Sequence, residues 1–466
     1  MSVNLDFIKS IIPTAIFVGK NPCSIDAWTV DSRVTKSGNI FVALSGSKTD
    51  GHFFVTDAFN GGAMGAMIEQ SMQSVLQATI DTYKDTHLFI IVADVRSSLC
   101  ALASAWRRKF SYPVIGVTGS SGKTTTKEML GNMLRCKGDS FLLSEGNQNT
   151  LIGLSLNVLN MRDHHTVAIF EMGISKRGEM AKLAELALPT IAIITSIGHC
   201  HMEGLGSIVD IAVEKRDIFK YLSDVGIGII DGDQPLLSTV SYSHPVIKFG
   251  KKMVNQVQAR KIQHHQNTVR MQLKLYNERH LLTLKTANAA RISNALAAAS
   301  AAYVLKVSDD LICRGIQEYE EVRGRFKPCY VPNSQSVIVD DSYNANPESM
   351  KAALHAFEQM EGAGKKVAVL GDMLELGINT PFWHRQLGRF LRKVPSLDSV
   401  IFIGEHVKWA HKMVPFGLQT LQVASWQEAV PLLKQHINDN AVILIKASRG
   451  IGLRNLVDTF MMRDAS

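Results

Sequence analysis

The chain has 466 residues, of which 46% are hydrophobic and 20% charged, with only 13 prolines. It is long enough for two to four domains with cores of their own, and too apolar for extensive disorder. A formal net charge of +8 suits anionic partners. The basic residues nevertheless fall in short clusters such as Arg107-Arg108-Lys109 and Lys251-Lys252, without the aromatic-interleaved stripe, helix-turn-helix or zinc-finger spacing of a nucleic-acid binder.

No apolar run approaches the roughly 18 residues that span a bilayer. The first residues, MSVNLDFIKSIIPTAIF, carry an early acid and break at Pro13, which makes a poor secretory signal. The six cysteines are scattered, at 23, 100, 136, 200, 313 and 329, with no CxxC pair. Reduced thiols in a cytoplasmic protein without membrane insertion are the expectation.

Residues 1–95 hold short apolar runs between Gly-rich turns, NIFVAL, DGHFFVTDAFNGGAMGAMI and HLFIIVADV, and predict a small α/β domain. A second section, 96–325, opens on the predicted helix LCALASAWRRKF. Near-continuous apolar strands follow at VIGVTG, TVAIFEM (166–172), TIAIITSI (190–197) and VGIGIID (225–231), with helical stretches between them. That pattern predicts a parallel sheet covered on both faces. TVRMQLKLY and HLLTLKT then alternate like an antiparallel edge, and NALAAASAAYVL predicts a buried Ala-rich helix. A third section, 326–466, repeats strands at SVIVDD, KKVAVLGDM, SVIFIG and AVILIKAS, an open Rossmann-like α/β unit without a GxGxxG opening. The fold class is thus α/β in three domains, a central parallel-sheet phosphate-loop unit flanked by a small N-terminal α/β domain and a Rossmann-like C-terminal one.

The strongest local signal is Gly116-Val117-Thr118-Gly119-Ser120-Ser121-Gly122-Lys123-Thr124-Thr125, between a predicted strand and the helix KEMLGNML. Backbone N–H groups and a helix N-terminus there surround an anion. Lys123 would reach the β/γ-phosphates of a nucleotide, and the Thr124 hydroxyl would ligate Mg²⁺. The strict pattern places its first glycine at 117, which is Val117 here, so the loop is a variant with glycines at 116 and 119.

Glu171 ends the next apolar strand, a position suited to holding Mg²⁺ directly or through water, or an ordinary strand-end acid. His199, His201 and Glu203 alternate, but Gly198 and Gly204 mark a loop, which favours a polar site near phosphates over zinc. Lys215, among charged neighbours, is by itself a surface lysine. In the third section, Asp340, Asp341, Tyr343, Asn344 and Asn346 offer carboxylates, an aromatic face and amides that suit a ribose and an adenine edge; Asn346-Pro347 is equally turn chemistry. Asp372 and Glu375 follow another strand. Lys446, Ser448 and Arg449 follow the last, as substrate-carboxylate or phosphate binders or as a solvated strand end.

Together the segments VDSR, GNIFVALSG with DGH, TGSSGKTTTKEM, GNQNTLIG, EMG, SIGHCHMEGLGS, EKRDIF, GRF, DDSYNANPESM, LGDMLELG and IKASRG resemble the Mur ligases over essentially the whole chain. DDSYNANP with LGDMLELG points to the branch whose amine substrate is D-alanyl-D-alanine. The resemblance implies an ATP- and Mg²⁺-dependent amide ligase of peptidoglycan synthesis that acts as a monomer on UDP-N-acetylmuramoyl-tripeptide. It implies that the first domain binds the UDP end through Ser32, Arg33, Asp50, Gly51 and His52. Asn147, Asn149 and Thr150 would face the muramoyl peptide, with Lys446 and Ser448 also on the substrate. Gly119 to Thr125, Asn294, Arg325, Asp340, Tyr343, Asn344 and Asn346 would hold the nucleotide. Lys123, Glu171, His201 and Lys215 would carry the chemistry, with Thr124, Glu171, His201 and a carbamylated Lys215 around Mg²⁺.

Three departures stand out: Ala290 and Arg291 replace the family's usual His-Asn, Thr150 replaces an asparagine, and Ser196 opens what is commonly NIG. A different amine acceptor (another Mur-type ligase or folylpolyglutamate synthase), a phosphate-loop NTPase of switch or transporter type, and a catalytically silent nucleotide-binding scaffold are the competing expectations.

Overall fold

The structure is a computed structural model that describes residues 2–22, 24–46, 49–265, 267–361 and 364–461. Cys23 lies outside the described residues. The other five cysteines are free. Among the described residues, no helix is long and apolar enough to cross a membrane.

Three sheets organise these residues, formed in turn by successive stretches of the chain. The first has five strands in the order Ile16–Gly19, Leu88–Val92, Gly65–Glu69, Asn39–Val42, Ala27–Thr29, parallel except at the Ile16–Gly19 edge. The helix Val95–Arg107 leads out of it. Its Trp106 indole donates to the Met161 carbonyl at 3.1 Å, which anchors the first unit to the second.

The second sheet has nine strands. Its parallel part contains Ile227–Asp231, Ile191–Ile194, Val114–Thr118, Val167–Glu171 and Phe141–Leu143, in that spatial order. Val114–Thr118 and Val167–Glu171 are buried at every position, which is why they read as unbroken apolar runs. From Val114–Thr118 the chain fills one side with Phe141–Leu143 and Val167–Glu171 and then crosses to Ile191–Ile194 on the other. Such a switch point opens a crevice at the carboxyl ends of the strands.

Beyond Ile227–Asp231 and Val246–Gly250 the sheet continues in the antiparallel Val257–His265, Thr268–Leu275 and Glu278–Leu284. The first of these three carries Gln258, Arg260 and Lys261 and exposes its far half, so it has no apolar signature. Under the sheet, the phosphate-loop helix Lys123–Lys137 packs against Ala290–Val304, whose Ala295 to Ala302 are all buried. Small side chains let the two helices lie close, and burying Met129, Leu130, Met133 and Leu134 there stabilises by about 1.5–3 kcal/mol for each side chain.

The third sheet has six strands in the order Lys327–Tyr330, Val337–Asp340, Val442–Lys446, Lys366–Gly371, Ser399–Ile403, Gln419–Val423, parallel except at the first edge. The four apolar strands expected from the sequence form its centre. The two edges are half-exposed and polar, which hid them. The carboxyl ends of Val337–Asp340, Lys366–Gly371 and Val442–Lys446 face the crevice of the second sheet, and their following loops contribute to one cavity with it.

Candidate active site

The phosphate loop takes its shape from two glycines. Gly119 has φ +149°, and a Cβ there would lie 2.0 Å from Thr195 Oγ1. Gly122 has φ +84°, and a Cβ would lie 2.2 Å from Asn294 Oδ1. Neither position admits a side chain. Gly122 also caps the helix Lys123–Lys137, so the first N–H groups of that helix are aimed at the loop.

The neighbouring strand end sews the loop in place. Ser120 N donates to the Ser196 carbonyl at 2.8 Å, Ser120 Oγ donates to the Gly198 carbonyl at 3.0 Å and accepts from Gly198 N–H at 2.9 Å, and Thr195 Oγ1 donates to the Ser121 carbonyl at 2.5 Å. Lys123 Nζ donates to the Gly119 carbonyl at 2.7 Å. The Ser-Ile-Gly segment 196–198 is therefore a structural partner of the phosphate loop.

Register brings the carboxylate in. Val117 pairs with Glu171 across the two central strands, so Glu171 emerges beside the loop. It is buried, and both its oxygens are used: Thr124 Oγ1 donates to Oε2 at 2.8 Å and Asn149 Nδ2 to Oε1 at 2.9 Å. Arg325 Nη2 donates to the same Thr124 hydroxyl at 2.8 Å while its guanidinium lies 3.8 Å from the centre of the Tyr343 ring. Thr150 caps the helix Leu151–Leu159, which presents Asn147 and Asn149 on the preceding loop.

The third-sheet loops meet this side directly. Asn346 caps the helix Pro347–Gln359 and also donates to Ser120 O and Ser121 Oγ at 3.3 and 3.2 Å. His199 is bound by Glu348 at both its N–H and Nδ1, and His201 Nδ1 contacts Glu375. That hydrogen bond holds the Glu375 carboxyl below its ordinary value. His201 and Glu375 both have left-handed backbones, φ +53° and +63°, which aim the two side chains at one another across the crevice.

The resulting cavity, about 710 Å³, is lined by Ser120 to Lys123, Thr125, Asn147, Asn149, Thr150, Glu171, His201, Asn294, Arg325, Tyr343, Asn344, Asn346, Lys446 and Ser448. Most of the residues singled out for nucleotide and peptide thus share one space. Asp340 does not line it, and Lys446 and Ser448 line it with their polar groups engaged by neighbouring loops. Asp340 is fully buried and spends its carboxylate on Gly324 N–H and on Ser342, so it shapes the loop while Asp341 reaches the cavity. Lys446 is locked to Asp341 at 2.8 Å and to the Asn344 carbonyl at 2.9 Å. Ser448 Oγ accepts from Leu374 N–H and donates to the Ala345 carbonyl.

Lys215 is wholly buried, does not line the cavity, and its ammonium has no hydrogen-bond partner among the described residues; burial, reinforced by Lys123, pushes it down to about 8 against the pull of Cys200 and Glu214. A surface lysine it is not. Ser32, Arg33, Asp50, Gly51 and His52 belong to the first sheet's unit and do not line this cavity. There Asp50 Oδ1 accepts from His52 N and contacts His52 Nδ1 at 2.6 Å, and Glu69 N–H donates to Nε2, while Arg33 forks onto Asp31. Gln234, which precedes the short helix Pro235–Ser238 and whose Oε1 accepts from Ile197 N–H, and Lys182, in the helix Glu179–Ala187, also line the cavity; neither carried a sequence signal, because neither falls within a motif.

Comparison with known proteins agrees with this geometry. Residues 117–302 match the model of the Mur ligase middle domain, and residues 324–449 that of the Mur ligase glutamate ligase domain. The chain is 33% identical to the UDP-N-acetylmuramoyl-tripeptide--D-alanyl-D-alanine ligase of Bacillus subtilis, over 93% of this chain and 92% of that one. It is 31% identical to the enzyme of the same name from Escherichia coli, covering 93% of each. Among solved structures it superposes on MurF from Acinetobacter baumannii with a TM-score of 0.82, 28% identity and 99% of both chains. It superposes on the MurF ligase of Thermotoga maritima in complex with ADP with 0.77, 27% identity and 93% and 97%.

Proposed function

The chain belongs to the Mur ligase family, and from that premise we propose that it joins D-alanyl-D-alanine to UDP-N-acetylmuramoyl-tripeptide at the expense of ATP, in the cytoplasmic synthesis of peptidoglycan precursor. The observation that carries the reading is the meeting of a phosphate loop, the buried Glu171–Thr124 pair and the strand-end loops of the third sheet in one cavity. Neither nucleic acid nor membrane insertion has a part in it, and one copy of the chain is sufficient.

The donor set fits Mg²⁺. Glu171 and the Thr124 hydroxyl are oxygen donors beside the phosphate loop, and no cluster of three His, Cys, Asp or Glu exists among the described residues. Mg²⁺ is characteristically held by one or two carboxylates with phosphate oxygens and water, not by an all-protein cage. Glu171, Thr124 and the free Nε2 of His201 would hold it. When bound, it supplies positive charge to the phosphates during transfer. Lys215 suits carbamylation because its buried amine, held near 8, is available in neutral form to attack carbon dioxide and lose a proton.

The reaction proceeds in two displacements. The tripeptide's terminal carboxylate attacks the γ-phosphorus of ATP, the bond to ADP breaks, and an acyl phosphate forms. The free amine of D-alanyl-D-alanine then attacks the acyl carbon, loses a proton and expels phosphate, leaving the amide. Lys123 exchanges the Gly119 carbonyl for phosphate oxygens. Asn147 and Asn149 orient the peptide, and Arg325 with Tyr343, Asn294 and Asn344 seats the nucleotide. The Asn346, Glu348 and Glu375 contacts hold the third-sheet unit against the loop and exclude water, which would hydrolyse the acyl phosphate. Ser32, Arg33 and the Asp50-His52 turn receive the uridine end.

The test measures phosphate release from ATP with UDP-N-acetylmuramoyl-tripeptide, with and without D-alanyl-D-alanine, together with the mass of the product. Release coupled to pentapeptide formation is expected. Release without that product would overturn the reading in favour of an NTPase or another amine acceptor.

A further inference from the structure

The helix Ala290–Val304 begins with a residue that its position disfavours. Arg291 stands in the first turn, where free N–H groups and the helix dipole repel a cation, and its side chain is only 6% exposed. A buried guanidinium persists only when its donors are compensated.

The compensation comes from three places. Nε donates to Glu321 Oε1 at 2.7 Å, and Nη2 lies 2.5 Å from Glu321 Oε2. Nη1 donates to Thr125 Oγ1 at 2.6 Å, and Nη2 reaches the carbonyl oxygen of Arg325. Thr125 is in the first turn of the phosphate-loop helix. Glu321 and Arg325 belong to residues 318–326, where the chain crosses from the second sheet to the third. Arg325, held through its carbonyl, in turn extends its own side chain to Thr124 and over Tyr343. The next residue back, Gly324, donates its N–H to Asp340 at the end of a third-sheet strand.

We infer that Arg291 is a positioning residue for nucleotide binding: it pins the interdomain crossing to the phosphate loop, and so sets where Arg325 and the Tyr343 loop stand relative to the bound phosphates and base. A planar fork is required for this, because three acceptor atoms on two segments, the phosphate-loop helix and the crossing, must be met at once while the second Glu321 oxygen stays in ion-pair contact. The inference rests on the ATP-using reading of the site, but not on which amine is joined.

Isothermal titration with ADP tests it, alongside thermal melting, on the full chain. R291K keeps the charge and loses the fork; its ADP affinity should fall about tenfold. R291Q/E321Q removes both buried charges together, so it should melt close to the parent and still bind ADP about tenfold or more weakly. T125V, which deletes only the hydroxyl that receives Nη1, should weaken ADP binding and add nothing to the loss in R291K. Parental ADP affinity in either R291K or the double variant, or strictly additive losses in T125V/R291K, would overturn the assignment. Because ADP binding is read directly, absence of pentapeptide product from the parent would sink the proposed reaction and leave this result standing.

Discussion

The two walls of the cavity are built on different principles. On the phosphate-loop side, the chemistry-bearing groups come from three adjacent strand ends of one parallel sheet, and their partners lie within the same unit: Ser120 with Gly198, Thr124 with Glu171, Glu171 with Asn149. On the side of the third sheet, residues of equally suitable chemistry spend their polar groups holding their own loops, as Asp340, Lys446 and Ser448 do, or reaching across, as Asn346, Glu348 and Glu375 do. On the proposed reading, one wall carries the phosphate chemistry; the other, apart from the Tyr343 and Asn344 that seat the nucleotide, is a cap that must keep its shape in order to close. Substitutions on the first should therefore cost rate, and on the second stability.

The largest effect expected is K123A, which should lower turnover by about 10³-fold or more, since it removes the cation that meets the transferring phosphoryl group. The melting temperature should barely change, because Lys123 is bonded only to a loop carbonyl. Phosphate-release kinetics and a thermal melt check both halves. Near-normal turnover would break the contrast at its strongest point.

K446M addresses the opposite wall. It leaves Asp341 as a buried carboxylate without its cation, at a cost of about 3–5 kcal/mol. K446M/D341N should recover much of that stability. Denaturant unfolding of both variants decides it: a K446M protein as stable as the parent but unable to bind nucleotide would make Lys446 a ligand-binding residue after all.

Two strand-end carboxylates of the second sheet sharpen the same point. Glu171 has donors on both oxygens, whereas Asp231 is pushed up to about 6, chiefly by burial and further by Asp233, against one backbone hydrogen bond. Between the ordinary carboxylate value near 3.8 and about 6, the folded protein binds more protons at Asp231 than the unfolded chain does, so stability contributed there falls as pH rises through that window. D231N should stabilise the protein by about 1–3 kcal/mol above pH 6.5 and by much less at pH 4. Equal stabilisation at both values would show that the effect is not ionisation.

How much of this was legible in the sequence divides along the same line. The phosphate loop, Glu171 and the central strands were readable because strand burial makes unbroken apolar runs, and the turn chemistry between them is local. The edge strand Gln419–Val423 and the ribbon strand Val257–His265 were not, since half-exposed strands carry no clean period. The burial of Lys215 was hidden because its neighbours Glu214 and Arg216 are charged, and only packing shows that it points inward. Arg291 stood out in sequence only as a departure; its partners Thr125 and Glu321 lie 166 and 30 positions away, beyond any local signal. Asp340 and Asp341 are adjacent and chemically alike, and which of them reaches the cavity depends on a strand end that a string of letters does not resolve.

Ser448 gives the smallest and most discriminating test. Its hydroxyl accepts from Leu374 N–H at 2.9 Å and donates to the Ala345 carbonyl at 3.3 Å, so it ties the ends of three third-sheet strands together inside the cap. S448A leaves the Leu374 N–H without that acceptor, at a cost of about 1–2 kcal/mol. Well below the melting transition, kcat and the KM for each substrate should stay within about threefold of the parent, because the hydroxyl's only proton and one of its two lone pairs are committed to the loops. A selective rise in the KM for D-alanyl-D-alanine with unchanged stability would mean that the hydroxyl exchanges a loop partner for substrate as the cavity closes. The cap would then hold shape and bind substrate with the same group, and the division between the two walls would fail at this residue first.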